Sequence, residues 1–119
     1  MLRHLRLLKD LIKGKPAHLR SPHWGKVRKE HLKKEPVCQW CGGKKRLQVH
    51  HIIPFHVNPA KELDPENLIT LCEKKGLDCH LEKGHLGNFR QFDLYVRQRC
   101  IEHQKQLREG VQDHERSAA

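Results

Sequence analysis

Residues 38–51 read CQWCGGKKRLQVHH and residues 68–80 read LITLCEKKGLDCH, and these two stretches decide the fold. Each stretch joins a pair of cysteines to a short run of residues typical of a β-strand. The first pair precedes its strand, and the second pair begins where the other strand ends. An antiparallel pairing of the strands would bring the four cysteines together, so the sequence predicts a cysteine knuckle followed by a β-hairpin arm.

The cysteine spacing predicts a metal site. Cys38-x2-Cys41 and Cys72-x6-Cys79 supply four thiolates from two turns, a donor set that favours tetrahedral Zn²⁺ with every position filled. A closed site of this kind is structural and couples folding to the metal. The x6 spacing requires a bulged loop that turns at Gly76. It leaves open the alternative that the second pair consists of buried thiols and that zinc takes histidine ligands.

Length and composition predict one small soluble domain. The chain has 119 residues, of which 36% are hydrophobic and 32% charged. Its hydrophobic core would therefore be small, and we expect an additional stabilising crosslink. No run approaches the roughly 20 apolar residues that cross a bilayer, so no membrane partner is expected. Charges interrupt the leucines of residues 1–15, which therefore lack the apolar stretch of an export signal. With five cysteines, an odd number, we predict a reducing, cytoplasmic location.

The positive charge is concentrated in the first part of the chain. Residues 1–34 hold 11 Lys or Arg against 2 Asp or Glu, whereas residues 35–119 hold 13 against 12. A basic segment on a nearly neutral body indicates a nucleic-acid partner, although a solvated surface is the simpler alternative. Leucine periodicity predicts a helix over 2–14, and Ser21-Pro22 predicts the N-cap and start of a second helix that ends before Glu35-Pro36. Its inner face would hold Trp24, and its outer face would offer Lys26, Arg28, Lys29, Lys33 and Lys34 to phosphates.

Apolar residues at helical spacing from Phe92 to Val111 predict a C-terminal amphipathic helix that buries Cys100 and ends in a short tail. Residues 54–66 contain three prolines and predict a long loop between the strands. We divide the chain into a basic helical extension (1–35), a core with the zinc knuckle (36–92), and the C-terminal helix with its tail (93–119).

A second polar group is not needed for zinc binding. It comprises an adjacent histidine pair, an asparagine before the second strand, a histidine after the last cysteine and another five residues later: His50, His51, Asn67, His80 and His85. Adjacent residues on a strand point to opposite faces, so the histidine pair can serve one site only where the strand ends.

Residues 24–92 resemble the HNH endonucleases of the ββα-metal group, in particular the phage-type members with four cysteines. The resemblance rests on the ordered pieces CQWCG, LQVHHIIPFH, ELDPENLITLC and DCHLEKGHLGNF. Two features depart from the commoner pattern: the second cysteine pair is x6 rather than x2, and His80 to His85 is one residue longer than HxxxH. The resemblance implies a small α+β, zinc-stapled ββα-metal domain flanked by helices.

It also implies roles for single residues. His51 would be the general base that activates water, and Asn67 would hold the intervening loop and so orient His51. His50 and His80 would bind a catalytic divalent metal, Mg²⁺ or Mn²⁺, with Zn²⁺ or Ni²⁺ as alternatives. For His85 a third-ligand role and a supporting or phosphate-contacting role both stay open. The simpler alternatives are that His50 has only a structural role and that Asn67 only marks the start of a strand.

The implied activity is metal-dependent hydrolysis of DNA phosphodiester bonds. The chemistry requires a metal to neutralise charge on the phosphate and on the departing 3′-oxygen, and a neutral imidazole to take a proton from water. A non-catalytic zinc-knuckle module that binds nucleic acid is the alternative, and a protein-interaction zinc domain is a third. The sequence leaves the oligomeric state, the sequence specificity and the biological role undetermined.

Overall fold

The computed structural model describes residues 20–118, with side chains described as far as residue 110. The chain forms, in order, helix α1 (Trp24–Lys34), strand β1 (Leu47–His51), strand β2 (Leu68–Cys72), a π-helical segment (His80–Gly84) and helix α2 (Val96–Ala118). This small α+β arrangement with flanking helices confirms the predicted fold class. The helix predicted over 2–14 lies outside the described residues.

The two strands form one antiparallel sheet. Leu47 pairs with Cys72 at one end, and His51 pairs with Leu68 at the other. Each strand is one residue longer than predicted, so the histidine pair stands at the end of β1, as one shared site requires. The loop between the strands contains two 3-10 turns, Pro59–Lys61 and Pro65–Asn67.

The core is small and rich in cysteine. All five residues of β2 are buried, because the strand is covered on both faces. The buried core cluster consists of Cys38, Ile52, Ile69, Leu71, Cys72, Cys79, Val96 and Cys100. Three of these belong to the two cysteine pairs, and Cys100 is a core residue as predicted. A core with so few large apolar side chains would gain stability from a bound structural metal.

Helix α1 begins two residues later than a cap at Ser21 would place it. The N-cap is His23, whose side chain makes no capping hydrogen bond. The Ser21 side chain instead accepts a hydrogen bond from the His23 backbone N–H at 3.1 Å, and its carbonyl accepts one from Trp24 at 3.1 Å. The serine therefore builds the turn before the helix, and the predicted N-cap was wrong.

Glu35, at the C-terminal cap of α1, connects three elements. Its carboxylate accepts hydrogen bonds from the Thr70 backbone N–H of β2 at 2.8 Å and from both terminal nitrogens of Arg97 in α2, at 2.9 and 3.2 Å. Burial raises the pKa of Glu35, but hydrogen bonds from His31, Arg97 and Thr70 outweigh burial and lower it to about 2. The ionised carboxylate thus fixes both helices to the sheet.

As far as its side chains are described, helix α2 packs on the body through its first turns. Val96 and Cys100 are buried, and the His103 ring stacks on Trp40 of the knuckle with centroids 3.6 Å apart. Leu107 is 46% exposed, so the predicted amphipathic face does not stay in contact with the body as far as it was expected to. The helix itself continues to Ala118, through the predicted tail. Within the described residues, no helix is both long and apolar enough to span a membrane.

Candidate active site

The four predicted zinc cysteines form one cluster. The Sγ atoms of Cys38, Cys41, Cys72 and Cys79 all lie within 4.8 Å of one another. Sγ of Cys41 and Sγ of Cys72 are 3.7 Å apart. Tetrahedral zinc with Zn–S bonds of about 2.3 Å requires sulfur atoms about 3.8 Å apart, so the cluster has the size and donor chemistry of a zinc site.

The backbone of both turns supports this cluster. In the knuckle, Gly43 N–H donates to Cys41 Sγ at 3.4 Å. The x6 loop turns at Gly76, whose φ is +82°, and closes with a hydrogen bond from Leu77 N to Lys74 O at 2.9 Å. Burial raises the pKa of Cys41 and of Cys79, whereas at Cys72 the backbone N–H groups of Lys74 and Cys79 oppose burial and the pKa is lowered. Such N–H groups favour the thiolate, which is the form that binds zinc.

A second cluster contains three histidines from two elements. The possible ligand atoms of His50, His80 and His85 lie within 4.8 Å of one another. His50 is only 2% exposed, and its Nε2 has no hydrogen-bond partner among the described residues. Burial, aided by the neighbouring His80 and His85, lowers the pKa of His50 to about 2. A neutral, buried imidazole with an unpaired nitrogen fits a metal ligand, because a metal would satisfy that atom.

Two of the three imidazoles are oriented by hydrogen bonds on their far side. His80 Nδ1 lies 3.3 Å from Glu73 Oε1, and His85 Nδ1 lies 2.9 Å from the Gln91 carbonyl oxygen. Both oxygens accept, so each Nδ1 carries the proton and each Nε2 is left for the cluster. Partners of this kind are typical of metal-binding histidines. Sequence reasoning missed Glu73, although its position directly after Cys72 was a usable signal.

The π-helical segment brings His80 and His85 to one side. In an α-helix, residues five apart diverge by about 140° around the axis. Here His85 N–H donates to the His80 carbonyl, at 3.1 Å, so the turn holds one extra residue. The H-x4-H spacing therefore places both rings as H-x3-H would in an ordinary helix. Single π-turns are frequent at functional sites.

His51 lies beside this cluster. Its Nε2 is 2.9 Å from the Glu62 carbonyl oxygen, so Nε2 donates and Nδ1 is unprotonated. The ring also contacts Trp24 of α1, with centroids 4.5 Å apart. Burial lowers the pKa of His51, and the hydrogen bond to Glu62 opposes that shift only in part. The imidazole is therefore neutral at neutral pH and can accept a proton at Nδ1.

Asn67 holds the backbone around His51. Its side-chain oxygen accepts from Ile53 N–H at 2.7 Å, and its amide donates to the carbonyls of Ile53 and Lys61, both at 3.0 Å. Ile53, two residues after His51, is thereby connected to Lys61, the residue before Glu62. These bonds place the His51 ring relative to the carbonyl that orients it.

One cleft of about 580 Å³ joins these groups, lined by His50, His51, His80 and His85 together with Arg20, Trp24, Arg28 and Phe89. Of the five predicted basic residues, only Arg28 turns into the cleft, where it donates to Gln48 at 3.4 Å. The four lysines, Lys26, Lys29, Lys33 and Lys34, are exposed on the outer surface of α1. The basic helix therefore presents one positive charge at the cleft and four on its exposed surface.

Residues 38–86 match the family model described as HNH endonuclease. This stretch contains both clusters and His51, so the chain carries an HNH endonuclease domain, and its four clustered cysteines fit a zinc-binding member of that family. A nuclease-type function follows from the domain. Searches of curated proteins and of solved structures found no match.

Proposed function

We propose that the protein is a metal-dependent endonuclease that hydrolyses phosphodiester bonds in DNA. The observation that carries the proposal is the arrangement in one cleft of a three-histidine cluster and a separate neutral imidazole. A zinc-knuckle module that only binds nucleic acid would need the cysteine cluster but neither of these. The orphaned Nε2 of buried His50 supports metal binding in particular.

His50, His80 and His85 would hold the catalytic metal. When bound, a divalent cation there would neutralise charge on the phosphate and on the departing 3′-oxygen. Three nitrogen donors and no carboxylate suit Ni²⁺ or Zn²⁺ best, because both ions favour imidazole ligands, whereas Mg²⁺ prefers oxygen ligands. The far-side partners of His80 and His85 favour the third-ligand role for His85 over a phosphate contact.

His51 would act as the general base. Its Nδ1 takes a proton from the attacking water, and Nε2 keeps its proton on the Glu62 carbonyl throughout. The water oxygen forms the new bond to phosphorus, the bond to the 3′-oxygen breaks, and the departing 3′-oxygen takes a proton from solvent. The expected products carry a 5′-phosphate and a 3′-hydroxyl. Asn67 would be a positioning residue, since it acts on His51 only through the backbone.

DNA would lie along α1. The exposed lysines would contact phosphates outside the cleft, and Arg28 would contact one at its edge. Contacts of this kind position a protein on DNA without reading its sequence.

The test is nicking of a supercoiled plasmid by the zinc-loaded protein with Mg²⁺, Mn²⁺, Ni²⁺ or Zn²⁺ added in turn. We expect cleavage that EDTA stops and that His51→Ala reduces by about 10²–10⁴-fold. His23→Ala is the matched control, because His23 is exposed and its side chain makes no capping bond. Binding without cleavage under all four metals would favour the non-catalytic module.

A further inference from the structure

Arg20 is a cleft residue for which the histidine and cysteine motifs give no role. Its guanidinium carbon lies 4.6 Å from the centroid of the Phe55 ring, and its side chain is 51% exposed. Both residues line the cleft that contains His50, His51, His80 and His85. Stacking on an aromatic ring fixes the plane of a guanidinium and leaves its N–H groups free at the edge.

The backbone next to Arg20 is anchored by a buried carboxylate. Glu62 is 4% exposed, and its two carboxylate oxygens accept hydrogen bonds from the Ser21 backbone N–H, at 3.0 and 3.2 Å. The carbonyl of the same residue accepts from His51 Nε2. Glu62 therefore holds the chain beside Arg20 through its carboxylate and orients the proposed base through its carbonyl.

An ion pair with Glu62 does not explain the position of the Arg20 guanidinium. The shortest distance between its Nη1 and Glu62 Oε2 is 3.8 Å, which is too long for a hydrogen bond. The carboxylate is already satisfied by Ser21, and a half-exposed pair of this length contributes about 0–1 kcal/mol. Among the residues that the structure describes, none accepts a hydrogen bond from the guanidinium. With respect to this part of the chain, its donors are held beside the Phe55 ring and remain available to a ligand.

We propose that Arg20 binds the scissile phosphate and stabilises the negative charge that develops on its non-bridging oxygens during hydrolysis. This inference rests on the proposed function and adds a catalytic residue to it. The planar guanidinium matches two oxygens of one phosphate, which a lysine cannot do. Charge on these oxygens grows as water attacks, so a fixed donor stabilises the transition state more than the bound substrate.

The test uses a substrate with a single phosphate, bis(p-nitrophenyl) phosphate, beside plasmid DNA. We expect Arg20→Ala to lower kcat about 10²–10³-fold on both substrates, the effect of removing one oxyanion donor. Arg20→Lys should recover only part of that loss. Low concentrations of guanidinium ion should restore activity to Arg20→Ala but not to His51→Ala. Arg108→Ala, an exposed arginine of α2, is the control and should match wild type.

The outcomes separate this proposal from the proposed function. Wild-type protein that cleaves neither substrate with any of the four metals would refute both. An active wild type with unchanged kcat in Arg20→Ala would refute this proposal alone. A variant that loses DNA cleavage but turns over the small diester normally would place Arg20 on a flanking phosphate, which also overturns it. A melting temperature lowered in parallel with activity, without guanidinium rescue, would indicate a structural role instead.

Discussion

Gly84→Ala should damage the three-histidine cluster while leaving the zinc cluster intact. A Cβ at position 84 would lie 3.0 Å from Cε1 of His50 and 3.1 Å from both of its ring nitrogens. Favourable contacts between carbon atoms lie at about 3.5–4.0 Å, so the ring must give way by a few tenths of an ångström. His50 is buried and cannot withdraw into solvent. Metal sites tolerate errors of about 0.2 Å in ligand distance, so this displacement is large enough to weaken binding.

The assay is a titration of the zinc-loaded variant with Mn²⁺, followed by plasmid nicking, with zinc content and thermal unfolding measured in parallel. We expect weaker Mn²⁺ binding, slower cleavage and unchanged zinc stoichiometry, with overpacking costing about 1–3 kcal/mol of stability. Gly110→Ala is the matched control, because a Cβ there meets nothing within 4 Å in helix α2. It should stabilise by about 0.5–1 kcal/mol. Wild-type Mn²⁺ affinity in Gly84→Ala would refute the assignment of His50 as a ligand.

Three further predictions concern other parts of the molecule. Cys72→Ser should lower zinc stoichiometry and melting temperature together, and unchanged zinc content would show that the ligand set is wrong. His85→Ala should weaken Mn²⁺ binding while zinc content stays normal; wild-type affinity would exclude the ligand role. Because the pKa of Glu35 is lowered from 4.5 to about 2 and its side chain is 16% exposed, its ionised form stabilises the fold by about 3 kcal/mol above pH 4.5. This stabilisation is lost as the pH falls through 2, so chemical denaturation of Glu35→Gln should reveal a deficit near pH 7 that shrinks below pH 4.5; a constant deficit would contradict the pKa assignment.

The sheet and the cysteine cluster were predictable from sequence because their signals are local. Turn residues, cysteine spacing and short apolar runs all fall within a few residues of the elements that they specify. Both strands were placed to within one residue, and Gly76 was correctly expected to make the turn in the x6 loop. The four cysteines were expected to meet because antiparallel pairing leaves little choice once the strands are known.

The parts that sequence reasoning missed depend on contacts between distant residues. Arg97 meets Glu35 across 62 positions of the chain, and nothing local to either residue indicates the pair. An acidic residue at a helix C-terminus is unfavourable by itself, which is the one signal that Glu35 has a partner elsewhere. The predicted N-cap at Ser21 was wrong for a related reason. The Glu62 carboxylate engages the Ser21 N–H and fixes the chain there, before the helix begins.

The two clusters are built from adjacent residues, so the proposed structural zinc also positions the proposed catalytic site. Cys72 belongs to the cysteine cluster, and the next residue, Glu73, orients His80. Cys79 belongs to the cysteine cluster, and the next residue is His80 itself. A ligand and its hydrogen-bond partner are therefore both attached to zinc-binding positions at the two ends of one short loop. Release of zinc would free both ends, so loss of the catalytic site should accompany loss of the structural metal even though no histidine of the cluster binds it.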